Sequence, residues 1–243
     1  MTCFGCRKSL GGRLAALGAW AAWRRCWVLL LAAGLGGTLW LPPAGAQEIS
    51  FRWAFGAVQG SDQGRRLDPL ATESTLTSGD RLKMMVELRQ TCFVYVFYRG
   101  PAGDLHQLFP YEPNDKDYRV GLPYFIPQGN LWFELDEHTG RETFYLMGAD
   151  RPLVELEALY RRYKATTAPD GAARLADAVI AEIERLKESH APLTATAERP
   201  IILGGSIRGV GPGATEGATD ITRLAEDITA QGFFLRTYRI EHR

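Results

Sequence analysis

The sequence predicts an α+β fold: a mainly antiparallel β-sandwich or bent sheet with two C-terminal helices packed on it. Three observations lead there. Short apolar segments bounded by Gly, Pro, Asn or Asp recur between residues 51 and 147, as strands do. After Asp150 the apolar spacing changes from alternation to a helical repeat. A strand-like segment then closes the chain, so strands stand at both ends of the body.

The first 46 residues read as a cleaved signal peptide. They hold five basic groups and no acid, and Arg24-Arg25 leads into the apolar run Trp27–Trp40. Pro42-Pro43 breaks that run, and Ala44-Gly45-Ala46 supplies the small residues of a cleavage site before Gln47. The run is shorter than the ~20 apolar residues a spanning helix needs, so no membrane span is expected after cleavage. Arg24-Arg25 also resembles a twin-arginine export signal, but Cys26-Trp27-Val28 follows it in place of the expected Phe and Leu. The expected location is periplasmic or extracellular. Without the signal, 23 basic residues face 28 acidic ones, an excess that argues against nucleic acid as the partner. Cys92 is the sole cysteine after Gln47, so no internal disulfide is expected, nor needed in a body of 197 residues.

Taken in order, residues 47–74 provide an N-terminal strand and linker, with Phe51, Trp53 and Phe55 on one strand face. Leu82, Met84, Val86 and Leu88 alternate with Lys83, Glu87 and Arg89, the pattern of a strand with one buried face. Cys92–Tyr98 is apolar on both faces, as a central strand is. Gly100-Pro101-Ala102-Gly103 turns it into a hairpin ending at Leu108-Phe109-Pro110. Short strands fit 118–126, 131–135 and 141–147. Leu153, Leu156, Tyr160 and Tyr163 recur at helical spacing, with Asp150 as the expected cap and Pro152 in the first turn. A second helix over 171–189 carries Leu175, Val179, Ile183 and Leu186 on one stripe. Residues 191–243 hold a polar linker, a strand-like stretch at 200–208, a Gly-rich run, a short helix and the strand FFLRTYRIEH, expected to join the same sheet.

An ordered set of motifs marks residues 75–155 as a β-rich domain. Gly79-Asp80 opens a strand, and the aromatic strand Phe93–Tyr98 and a turn at Gly103 follow. Then come Leu108-Phe109-Pro110, Ile126-Pro127 and Gly140-Arg141-Glu142. This set resembles the bacterial DUF4384 family, a domain of unknown function, most closely over Leu76–Leu153. Tyr111 stands where that pattern often has asparagine. In longer relatives the resemblance extends to the downstream helical segment, here 156–190, and to a final strand like Phe234-Leu235-Arg236-Thr237-Tyr238. The resemblance implies an exported or accessory binding module and carries no catalytic residues.

Each chemical motif is outweighed by a plainer reading. Glu112, Asn114, Asp115 and Asp117 offer oxygens to calcium, but Pro113, Lys116 and the spacing contradict an EF-hand loop and fit a solvated turn. His106, His138, His190 and His242 form no i, i+4 pair or zinc motif, so no metal is expected. Ser206 lacks the Gly-x-Ser-x-Gly context, and Pro212 interrupts the Gly-rich run where phosphate-binding amides belong, so neither a nucleophile nor a nucleotide cofactor is expected. Cys92 begins an apolar strand and reads as a buried, inert thiol. Most aromatics around residues 109–133 are core material; Tyr111 and Trp132 are the candidates for a recognition surface. The expected function is an exported, non-catalytic β-rich module that binds a protein or cell-envelope component. The alternatives are an envelope hydrolase, for which Glu134 with Asp136 or Glu142 are the carboxylates to consider, and a structural subunit of an envelope assembly.

Overall fold

The computed structural model describes residues 46–59, 66–112, 117–194 and 220–243. Among the described residues there are eleven strands: β1 (Glu48–Gln59), β2 (Arg66–Pro69), β3 (Glu73–Leu76), β4 (Arg81–Leu88), β5 (Phe93–Arg99), β6 (Leu105–Phe109), β7 (Pro123–Ile126), β8 (Phe133–Glu134), β9 (Gly140–Ala149), β10 (Glu226–Gln231) and β11 (Phe233–His242). Helices α1 (Val154–Ala165) and α2 (Pro169–Thr194) stand between β9 and β10. The strands form two sheets. The first runs β10-β1-β4-β7, with β2 also paired to β1 and β8 to β4; the second runs β3-β11-β9-β5-β6. Pairing is antiparallel throughout except for β3 on β11.

Alternation explains how the two sheets meet. Phe51, Trp53 and Phe55 point from β1 into a shared core with Phe144, Phe234 and Tyr238 of the second sheet. Trp53 Nε1 donates to the Tyr238 hydroxyl at 2.8 Å, so the one polar atom of that indole is satisfied inside the core. Gly148 is required where the sheets approach, since a Cβ there would stand 2.6 Å from the Phe51 ring.

The doubly apolar β5 is interior, as its sequence suggests, and each face has its own cover. Val94 and Val96 enter the inter-sheet core. Tyr95 and Phe97 face α1 and α2, where Leu156, Tyr160, Val179 and Ile183 meet them. The helical stripes are thus buried on the outer face of the second sheet. The edge strand β6 is also shielded by α1: Leu105 N donates to the Tyr163 hydroxyl at 3.2 Å and Gln107 N to that of Tyr160 at 2.9 Å. Outward backbone donors that would otherwise invite a further strand are thereby occupied.

Several expectations need correction. β4 is buried on both faces, because Met85 packs with Ala54, Val58, Leu67 and Ile221 over the outer face of the first sheet. Lys83 is buried there too, its ammonium donating to Gly129 O at 2.7 Å and Leu131 O at 2.8 Å. Asp150 does not cap α1, whose N-cap is Leu153 without a side-chain cap bond. That end is held instead by the Tyr95 hydroxyl, which accepts from Leu153 N at 3.1 Å and donates to Glu157 at 2.7 Å. Asp150 Oδ2 accepts from Gln47 N at 3.1 Å. β10 is an added strand, with only Ile228 and Ala230 of its six residues buried and so little alternation to read. Residues 1–45 of the signal segment, the stretch at 200–208, the Gly-rich run and Ser206 lie outside the described residues, as do Pro113, Asn114, Asp115 and Lys116 of the acidic turn.

Candidate functional site

A cleft of 820 Å³ opens between the two sheets, within the size range of ligand pockets. Leu82, Phe133 and Leu135 line one side of it and Tyr98, Leu108 and Phe144 the other. Four carboxylates (Asp104, Glu134, Asp136 and Glu142) and two histidines (His106 and His138) surround these apolar groups. Among the described residues that line it there is no lysine or arginine.

Local turns position this rim. The β5–β6 hairpin carries Asp104, whose Oδ2 lies 3.1 Å from His106 Nε2, and His106 stacks on Tyr98 at 6.1 Å. In the loop after β8, Asp136 accepts from His138 N at 2.7 Å and lies 2.9 Å from its Nδ1. The backbone N–H of His138 and then its ring hold the Asp136 carboxyl below its ordinary range, although it is exposed. Glu142, on β9, is in the opposite state. Burial raises its carboxyl above the ordinary range, opposed by hydrogen bonds from Tyr98 and His242 that favour the charge. Burial likewise raises the Tyr98 hydroxyl, and Glu142 adds to the effect.

Behind Glu142 the polar chain continues away from the cleft. Its Oε1 lies 3.1 Å from His242 Nδ1, and the other ring nitrogen, Nε2, lies 3.1 Å from Ser78 Oγ. His242 and Glu142 are 3% and 5% exposed, whereas Ser78 is exposed in the turn between β3 and β4. That turn is built by Gly79, whose φ of +87° suits glycine, and by Asp80, whose Oδ2 accepts from Thr77 N at 2.9 Å.

Residues 75–152 match the model of DUF4384, a domain of unknown function. No curated protein matches the chain. Within the DUF4384 stretch, Gly79-Asp80 is the turn that presents Ser78 and Gly140-Arg141-Glu142 places the buried carboxylate. The two prolines of its pattern, Pro110 and Pro127, both follow cis peptide bonds. The DUF4384 match ends before β11, yet β11 lies between β3 and β9 and supplies His242.

Tyr111 and Trp132 are not among the residues lining the cleft. Tyr111 is half-buried with Phe109, Tyr118 and Tyr124, donates to Phe125 O at 2.8 Å, and has its hydroxyl pushed up to about 12 by burial. Trp132 packs beside Phe125, with the Lys83 ammonium 5.3 Å from its ring. The three carboxylates considered for hydrolysis, Glu134, Asp136 and Glu142, do converge on the cleft. Cys92 is buried, and burial pushes its thiol up to about 11. Among the described residues, no group of three or more His, Cys, Asp or Glu side chains is disposed to hold a metal ion, and no helix is long and apolar enough to cross a membrane. No sequence motif marks Ser78 or Tyr98 as a site residue, and His242 is weighed by motif only as a metal ligand. One signal did exist for His242: it shares strand parity with Tyr238 and Ile240, and a histidine on so apolar a face needs a polar partner.

Proposed function

We propose that this chain is an exported binding module whose inter-sheet cleft receives a lysine- or arginine-bearing segment of a protein in the cell envelope. The observation that carries the reading is the cleft's charge. Asp104, Glu134, Asp136 and Glu142 surround apolar walls that suit the methylene stem of a basic side chain, and no lysine or arginine is among the described residues lining it; the basic groups beside these carboxylates are His106, His138 and, outside the lining, Arg81, 3.8 Å from Glu134. Export is supported by the layout of residues 1–46 and by how the body starts. Gln47 N donates to Asp150 Oδ2, and Gln47 O accepts from Gly232 N at 2.8 Å. Cleavage before Gln47 leaves a new ammonium against the Asp150 carboxylate.

Tri-lysine and tri-glutamate, titrated calorimetrically into the full chain, test the binding reading. Tri-lysine is expected to bind, more weakly as salt screens the exposed charges, and to lose affinity in the double variant Asp104→Asn with Asp136→Asn. Equal binding of both peptides, or none of tri-lysine, refutes it. N-terminal sequencing of the secreted protein is expected to begin at Gln47; an intact Met1 in the membrane fraction contradicts export.

A further inference from the structure

We propose that Ser78 is a nucleophile, activated by His242 and Glu142, that takes an acyl group from small activated esters. This goes beyond the binding role and shares only Glu142 with it, since neither Ser78 nor His242 is among the residues lining the cleft. It also departs from the non-catalytic expectation drawn from the sequence.

A serine hydroxyl is a poor nucleophile until a base accepts its proton, and the base must present a lone pair to it. Glu142 Oε1 lies 3.1 Å from His242 Nδ1, and when Glu142 is ionised its oxygen can only accept, so Nδ1 carries the proton and donates it to the carboxylate. Nε2 is then the free base, and it lies 3.1 Å from Ser78 Oγ. The Tyr98 hydroxyl is a second hydrogen-bonding neighbour of the same carboxylate. Nucleophile, base and orienting carboxylate thus occur in the order that defines an activated serine. They come from three distant parts of the chain: the β3–β4 turn, β11 and β9. The inner partners are buried while the serine faces solvent, where an acyl donor can reach it.

Ser189 provides a contrast in the same molecule. It is also exposed and its Oγ lies 3.0 Å from His190 Nδ1, but its hydroxyl donates to Leu186 O at 3.0 Å and that ring nitrogen lies 2.9 Å from the same carbonyl. Proximity of serine to histidine is the same at the two sites; the ring nitrogen that faces the hydroxyl is not, being the free Nε2 at Ser78 and the carbonyl-bound Nδ1 at Ser189.

In the reaction, Ser78 Oγ bonds to the ester carbonyl carbon while its proton passes to His242 Nε2. The ester C–O bond breaks, and the departing alkoxide or phenolate takes that proton. Water, deprotonated by the same ring, then attacks the acyl-serine, and Ser78 leaves with its proton restored. Amides of the turn are already committed: Gly79 N donates to Leu135 O at 2.8 Å and Asp80 N to Thr77 O at 3.0 Å. The acceleration therefore comes from the base, about 10²–10⁴-fold, without a strong oxyanion contribution.

A tagged fluorophosphonate applied to the folded full chain, with the modified residues mapped by mass spectrometry, tests this. Ser78 is expected to be labelled at least about a hundredfold faster than Ser189, the lower bound of a positioned base. The initial burst of p-nitrophenolate from p-nitrophenyl acetate is expected to vanish in Ser78→Ala, an exposed turn position. Glu142→Gln is expected to slow labelling of Ser78 while leaving that of Ser189 unchanged, a difference that general loosening of the fold does not produce. If Ser78 in the unaltered chain is labelled no faster than Ser189, or the burst persists in Ser78→Ala, the proposal is wrong.

Discussion

Excision of the DUF4384 stretch, residues 75–152, is expected to yield a chain that does not fold. The match includes β4 and β9, but not the strands each lies against in the middle of its sheet. β1 pairs with β4 from Phe51↔Leu88 to Val58↔Arg81, and β11 pairs with β9 over its whole length. Excision removes Ile49, Phe51, Trp53 and Phe55 on one side and Phe233, Phe234, Tyr238 and Ile240 on the other, all 8% exposed or less. At roughly 1.5–3 kcal/mol for each buried side chain, the loss is about 12–24 kcal/mol. A whole domain is stable by only ~5–15 kcal/mol. Two interior strands also leave open backbone edges on β4 and β9 that water must then satisfy. The assay is a ¹H–¹⁵N correlation spectrum of residues 75–152 beside one of the full chain, with urea unfolding followed by circular dichroism. Collapsed amide dispersion and no cooperative transition are expected for the fragment. A dispersed spectrum with a sharp urea midpoint refutes the reasoning and makes the matched stretch a folding unit of its own.

Three further outcomes follow from single side chains. Lys83→Met deprives the carbonyls of Gly129 and Leu131 of their donor and is expected to cost about 1–3 kcal/mol in urea unfolding, with faster hydrogen exchange around Trp132. Because burial pushes the Cys92 thiol up to about 11, a disulfide reagent at neutral pH is expected to leave it unmodified until denaturant is added; prompt modification of the native protein contradicts this. Burial raises the Glu142 carboxyl, so the folded chain holds that proton more tightly than the unfolded one. Its stabilising contribution is therefore full below the unfolded carboxylate pKa of ~4.3 and lost as pH rises through the higher folded value. Unfolding midpoints from pH 4 to 7 are expected to fall for the native chain relative to Glu142→Gln, and the opposite trend disproves the assignment.

Periodicity alone determined much of this protein, because it records which face of an element is buried. Phe51, Trp53 and Phe55 revealed β1, the doubly apolar run revealed an interior β5, and the stripe through Val179, Ile183 and Leu186 revealed the face of α2 that meets the sheet. The turn glycines and prolines marked where those elements stop. Periodicity does not record what covers a face, and that is where the sequence reading failed. The polar side of β4 looked solvated until Met85 was seen beneath Ile221 and Lys83 beneath the carbonyls of Gly129 and Leu131. Asp150 looked like a helix cap, but its partner is Gln47, more than a hundred positions away. The cleft is set by the same long-range pairing: sheet order brings the β5–β6 turn opposite β8, so Asp104, Glu134, Asp136 and Glu142 meet without any local motif. His242 reaches Glu142 across 100 positions and Ser78 across 164, a distance in sequence that only the register of β11 against β9 and β3 closes.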